Sequence, residues 1–127
     1  MSSIHQEVVF GAAAARVYRA LVDATEFAKL TGAPTTGGEA EGSPFTAFGG
    51  HVTGRHIELV PDRLVVQAWR AKTWPAGTYS IARFELRPEG DQTRLVFDHD
   101  GFPEAQKEHL AAGWTANYWD PMRKYLG

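Results

Sequence analysis

Residues 60–77 read VPDRLVVQAWRAKTWPAG, and the two prolines in this stretch decide how the chain around them folds. Val60-Pro61-Asp62-Arg63 and Trp74-Pro75-Ala76-Gly77 both place proline at the second position of a four-residue turn, where its fixed φ already suits. The second of them adds glycine at the fourth position. The run between them has strand length and strand composition, so the pair of turns predicts an ordered strand with a hairpin on either side.

The same punctuation continues in both directions. Gly49-Gly50 lies upstream, and Arg87-Pro88-Glu89-Gly90 downstream has the pattern of a three-residue hairpin loop with a bulge. Consecutive hairpins from Pro44 onward imply an antiparallel meander of about five strands, closed by Phe102-Pro103. Ahead of it, Ile4 to Phe10 reads as a strand. Ala12 to Leu21 reads as a helix, because alanine is the best helix former and Val17, Ala20 and Leu21 share a face. Asp23, three residues before Glu26, announces a second short helix that Gly32 and Pro34 end, and Thr35 to Gly42 is a polar, glycine-rich loop. Glu104 to Leu126 is helical over about 34 Å at 1.5 Å per residue. Pro121 should kink this rod near Asn117, whose carbonyl lies where the proline ring must go. The order is that of an α+β fold, with the long final helix covering one face of a curved sheet.

Bulk properties narrow the function classes. A chain of 127 residues is expected to form one domain with one core. Its 43% hydrophobic and 22% charged residues are those of a folded globular protein rather than a disordered one. A net charge of −2 with dispersed basic residues argues against nucleic acid as a partner. No apolar run approaches membrane-spanning length and the first residues lack a signal-peptide pattern, so no membrane partner and a cytoplasmic location are expected. The absence of cysteine excludes disulfides and thiolate chemistry.

Strand alternation sorts the side chains. Val65, Gln67, Trp69 and Ala71 share one face and Leu64, Val66, Ala68, Arg70 and Lys72 the other, and the charges mark the second as outward. By the same reasoning Ser80, Ala82, Phe84 and Leu86 face inward, as do Thr93, Leu95, Phe97 and His99. On the final helix Leu110, Trp114, Asn117, Tyr118, Met122 and Tyr125 recur at spacings of three and four, a stripe that should lie on the sheet. Gly113 beside Trp114 should allow a close approach.

The stretch that carries Trp69-Arg70 and Trp74-Pro75-Ala76-Gly77 resembles the C-terminal domain of the activator of heat-shock protein 90 ATPase. The resemblance extends in order along nearly the whole chain, through Thr31-Gly32-Ala33-Pro34, Gly50 with Val52-Thr53-Gly54, Glu58-Leu59-Val60-Pro61, Gly101-Phe102-Pro103, and Gly113-Trp114 with Tyr118. It implies the helix-grip fold of the START-like (SRPBCC) superfamily, in which the sheet wraps the C-terminal helix around a cavity. It also implies that the relatives' N-terminal domain, which engages the chaperone, has no counterpart in these residues. Thr78 stands where the family usually has histidine, and Asn117 where it has an aromatic.

Packing accounts for most of these aromatics. For a ligand cavity, the inward residues that would line it are Val65, Gln67, Trp69, Ser80, Ala82, Phe84, Phe97 and His99, facing Trp114, Asn117 and Tyr118. Arg70, Lys72 and Trp74 would form a partner surface, and Trp74 and Phe102 are expected to be exposed. No metal site is expected, since His51, His56 and His99 show no ligand spacing, and no cofactor motif is visible. Asp98-His99-Asp100 flanks an imidazole without orienting it, because adjacent strand residues point to opposite sides, so no catalytic residue is assigned. The expected function is non-enzymatic binding of a small apolar ligand. The alternative is a co-chaperone that binds heat-shock protein 90 and modulates its ATPase, and the third reading is a cavity enzyme of cyclase or hydrolase type.

Overall fold

The computed structural model describes residues 2–127. A seven-stranded antiparallel sheet is built from β1 (Ser3–Phe10), β2 (Thr36–Gly37), β3 (Pro44–Ala47), β4 (Val52–Val60), β5 (Leu64–Ala71), β6 (Ser80–Glu89) and β7 (Gln92–Asp100). Its strand order is β1-β7-β6-β5-β4-β3-β2. Two short helices, α1 (Ala14–Val22) and α2 (Ala24–Thr31), follow β1, and the C-terminal helix consists of α3 (Lys107–Trp114), a π-helical turn (Thr115–Trp119) and α4 (Asp120–Leu126). The α+β order and its long final helix are as the sequence predicts. The meander expected from Pro44 onward is β3 to β7, five strands; the sheet gains β2 from within the polar loop, and β1, which pairs with β7 from Ser3↔Asp100 to Phe10↔Thr93.

The inward and outward assignments hold on all three central strands. β5 alternates strictly, with Val65, Gln67, Trp69 and Ala71 buried. Ser80, Ala82, Phe84 and Leu86 are buried on β6, as are Thr93, Leu95, Phe97 and His99 on β7. The buried apolar residues form one cluster between the sheet and the helices. Asp23 caps α2, its carboxylate accepting from the Thr25 and Glu26 amides at 2.9 and 3.1 Å, while Gly32 at φ 71° ends the helix in the left-handed region. Gly54 is required for space rather than conformation, since a Cβ there would run into the Ala68 carbonyl and the Phe45 ring.

The turns differ in detail from expectation. Val60-Pro61-Asp62-Arg63 closes as read, with the Arg63 amide donating to Val60 at 3.0 Å and Asp62 at φ 66°. The β5–β6 connection instead makes two turns, Ala71–Trp74 and Pro75–Thr78, closed by bonds of 3.0 and 3.1 Å. Proline therefore opens the second turn, so that Gly77, at φ 80°, takes the third position where a left-handed residue is needed. The β6–β7 hairpin closes through Gly90–Asp91 alone, since Glu89 pairs with Gln92 and Gly90 at φ 63° supplies the first central residue of a primed turn. Pro88 is tolerated within β6 because β5 ends opposite Glu85, leaving an edge there.

Pro121 acts through a π turn. Proline has no amide to give and its ring displaces the carbonyl four residues back, so the chain takes in an extra residue and the Asp120 amide bonds to Thr115, five residues back. This rotates the stripe. Leu110, Trp114, Tyr118, Met122 and Leu126 are buried, but Asn117 is exposed and Tyr125 is only half-buried. Trp119, absent from the expected stripe, is buried and donates to Gln6 Oε1 at 2.7 Å, while the Gln6 amide donates to the Ala111 carbonyl at 3.0 Å.

Candidate ligand groove and the polar groups around it

Between the C-terminal helix and the open end of β4 and β5 lies a groove of about 300 Å³. One face of the helix supplies Gln106, His109, Leu110, Gly113, Trp114, Asn117 and Tyr118, and the opposite wall is Phe48, His51, Val52, Trp69, Ala71, Thr73 and Trp74. The spacing along the helix is that of a single stripe, so the groove follows from its amphipathic face meeting a sheet that stops short of it. Gly113 leaves the groove open. A Cβ there would make only an ordinary contact with the Asn117 amide at 3.6 Å, so the expected close approach of helix and sheet does not occur at this residue.

Trp74 and Phe102 are buried, at 5% and 7% exposure, contrary to the expectation of surface aromatics. The double turn folds the Trp74 indole back over the Trp69 ring at 5.6 Å, where burial of its large apolar area outweighs exposure. Arg70 holds it there: Nη2 donates to the Trp74 and Pro75 carbonyls at 2.8 and 3.2 Å, and Nε to the Thr78 carbonyl at 3.2 Å. Arg70 is therefore a clasp for the turn rather than a free docking charge, whereas Lys72 is exposed. The clasp leaves one group unmatched. Trp74 Nε1 is buried with no hydrogen-bond partner among the described residues, and its residue lines the groove. An indole N–H can only donate, so only an acceptor can satisfy it.

Of the cavity residues read from the sequence, Trp69, Trp114, Asn117 and Tyr118 border the groove. Gln67, Phe84 and Tyr118 border a smaller cavity of about 30 Å³, together with Leu21, Phe27, Phe45, His56 and the Thr35–Gly38 segment. Val65, Ser80, Ala82, Phe97 and His99 border neither and are packed in the core. His51, His109 and Trp74 reach the groove from a turn, an exposed helix position and a loop. Pattern reasoning carried no signal for the first two.

His99 is bound on both sides. Trp114 Nε1 donates to His99 Nδ1 at 3.0 Å, which makes Nδ1 the acceptor and places the ring proton on Nε2. That proton points at Ser80 Oγ, 2.7 Å away, and the Ser80 hydroxyl in turn donates to the Trp69 carbonyl at 2.8 Å. The chain of donors runs from tryptophan to carbonyl, so the imidazole gives a proton to the serine instead of taking one. It is the reverse of a nucleophile–base pair, and both side chains are fully buried. Burial holds the His99 pKa down at about 4, because the charged ring would lose its hydration. The Tyr118 hydroxyl accepts from Trp69 Nε1 at 3.3 Å, and its burial pushes its pKa up. His56 stacks on Phe45 at 5.2 Å, and burial lowers its pKa too.

Comparison with known proteins agrees with this architecture. A human protein named activator of 90 kDa heat shock protein ATPase homolog 1 is 27% identical over 87% of this chain, and a mouse homolog 2 is 30% identical over 69% of it. The chain spans 33% and 27% of their lengths. Among solved structures, an HSP90 activator from Plasmodium falciparum superposes with a TM-score of 0.91 at 21% identity, covering 98% of this chain and 96% of that one. The Aha1 dimer from Colwellia psychrerythraea gives 0.85 at 19% identity, covering 99% and 96%. Residues 11–127 match one family along their whole length, and the chain belongs to it: the family described as activator of Hsp90 ATPase homolog 1-like protein.

Proposed function

We propose that this protein binds a small, largely apolar molecule carrying a hydrogen-bond acceptor in the groove between the C-terminal helix and the end of β4 and β5, without chemistry of its own. The observation that supports it is a groove of about 300 Å³ lined by Phe48, Trp69, Trp74, Trp114 and Tyr118, one of whose lining residues, Trp74, holds a buried N–H without a partner that a turn of the indole would bring to a ligand. A space of that size and lining fits a small-molecule site, and a ligand oxygen would satisfy a donor whose burial otherwise costs about 1–3 kcal/mol. The donor order through His99 and Ser80 supports binding over catalysis.

The test is a matched pair of probes followed by quenching of tryptophan fluorescence. 2-Acetylnaphthalene, which carries a carbonyl acceptor, should bind more tightly than 2-ethylnaphthalene, which does not. Trp74→Phe should remove that preference, and Gly113→Leu should abolish binding of both while leaving thermal stability nearly unchanged. Equal binding of the two probes to the wild type would refute the role of Trp74.

Family membership favours a second reading, binding to heat-shock protein 90 with a change in its ATPase rate. The surface available for it is the outer face of the sheet, where Tyr79, just ahead of β6, and Ile81 on β6 are exposed beside the end of β5 that leads through Arg70 to the exposed Lys72. An ATPase assay with the purified chaperone tests it: stimulation or inhibition that is lost in Lys72→Glu with Ile81→Glu supports docking through this face.

A further inference from the structure

Among the described residues two buried side-chain nitrogens lack a partner, Trp74 Nε1 and His56 Nδ1. The residue that carries the first lines the groove and the residue that carries the second lines the smaller cavity. Of the residues around these two spaces, Tyr118 lines both. The spaces are also neighbours along β5, because Trp69 borders one and Gln67 the other. As consecutive inward residues these lie about 7 Å apart at 3.3 Å per residue.

The partition is held by a strained segment. Phe48 is a non-glycine residue at φ 52°, followed by Gly49 at 65° and Gly50 at 92°, three left-handed residues in succession. Its ring packs edge-on against Tyr118 at 5.5 Å and Phe27 at 5.7 Å, contacts that keep the backbone in a conformation phenylalanine disfavours. Withdrawal of Phe48 would relieve that strain and free one side of Tyr118. The Tyr118 hydroxyl is held by one hydrogen bond, the long one from Trp69 on the groove side.

We propose that the smaller cavity is the deep subsite of the groove, opened by displacement of Tyr118 and Phe48, and that it takes the hydroxyl end of an elongated aromatic or alicyclic ligand against His56 and Gln67. This rests on the groove being a ligand site. The space of about 30 Å³ suits a single oxygen, the size of a water that a ligand hydroxyl would replace. A hydroxyl matches because it both donates and accepts, and so satisfies His56 Nδ1 in either neutral tautomer, with the Gln67 amide offering the complementary group. The ligand class is thus a rigid apolar body with a carbonyl or ether oxygen at the Trp74 end and a hydroxyl at the His56 end.

The test uses 4-acetyl-4′-hydroxybiphenyl and 4-acetylbiphenyl as long probes and 2-acetylnaphthalene as a short one, with affinities from tryptophan fluorescence and histidine ¹⁵N shifts read on the wild-type and Gly113→Leu proteins. The hydroxyl should raise affinity about tenfold, the ratio expected for one satisfied buried hydrogen bond. The His56 nitrogens should shift with the hydroxylated probe and stay still with the short one. His56→Leu should erase the hydroxyl advantage and leave the short probe unchanged, and Tyr118→Ala should strengthen both long probes. If the short probe binds while His56 is silent to the long ones, the subsite is wrong and the groove stands. If no probe binds, both fall. If His56 still responds in Gly113→Leu, the small cavity is entered from the Thr35–Gly38 side, and the two spaces are not one site.

Discussion

Acid acts most directly on His99. Its pKa is 6.5 when unfolded and about 4 when buried, so the unfolded chain binds the proton first. The stability held by the neutral ring is therefore complete above pH 6.5 and declines as pH falls toward 4. Over those 2.5 units the loss approaches about 3 kcal/mol at 1.36 kcal/mol per unit. His56, also lowered by burial, adds a loss in the same direction. Urea midpoints measured from pH 7 to pH 4 should fall accordingly, and His99→Gln should flatten the fall while lowering stability at pH 7 by about 1–3 kcal/mol through the misfitted Trp114 and Ser80 groups. A midpoint independent of pH over this range would contradict a buried neutral imidazole. His5 has the opposite sign. Asp98 at 2.6 Å, and then Glu7 at 2.9 Å, accept from its ring and raise its pKa, so its contribution is present below pH 6.5 and disappears as pH rises through the raised value. Histidine proton shifts followed by NMR should show His5 titrating above 6.5 in the wild type and returning toward it in Asp98→Asn.

At the scale of elements, legibility tracked the range over which the information acts. The Asp23 cap, the Gly32 stop and the alternation of β5 are settled within four residues, and all were readable. Asp23→Ala should cost about 1 kcal/mol in chemical denaturation, the usual value of a lost cap. Gly54→Ala should be far worse, about 3 kcal/mol or more, because the new methyl meets backbone that cannot move without breaking the β4–β5 ladder. The turn after β5 lies one residue beyond its expected position because proline suits more than one turn position, and only the demand for Gly77 in the left-handed region decides between them. The proline effect in the last helix falls where the sequence places it, around Asn117, but takes another form: a kink and a π turn both relieve the same clash. The choice of the π turn follows from Trp119, which gains burial and the Gln6 hydrogen bond by the rotation. Trp119→Phe should lose that bond at a cost of about 1 kcal/mol, visible in the thermal midpoint.

A ligand of the proposed groove would act on the whole molecule by mass action. A probe at one hundred times its dissociation constant should stabilise the fold by about 2.7 kcal/mol, an effect that Gly113→Leu should cancel without lowering the unliganded midpoint. The amino-acid sequence by itself determined the layers, the faces of β5, β6 and β7, the Asp23 cap of α2, and the family, because turn chemistry, capping and alternation act between near neighbours. The groove, its unmatched Trp74 N–H, the Arg70 clasp and the direction of the His99 chain were decided only by the tertiary structure. Each depends on where residues distant in the chain come to rest, as when Gln6 meets Trp119 across 113 positions or Tyr118 meets Trp69 across 49. Alternation says that a side chain points inward. Whether it then meets a packed ring, a hydrogen-bond partner or open space depends on how closely the helix settles on the sheet, and that distance is set by the sum of all the packing contacts rather than by any local pattern.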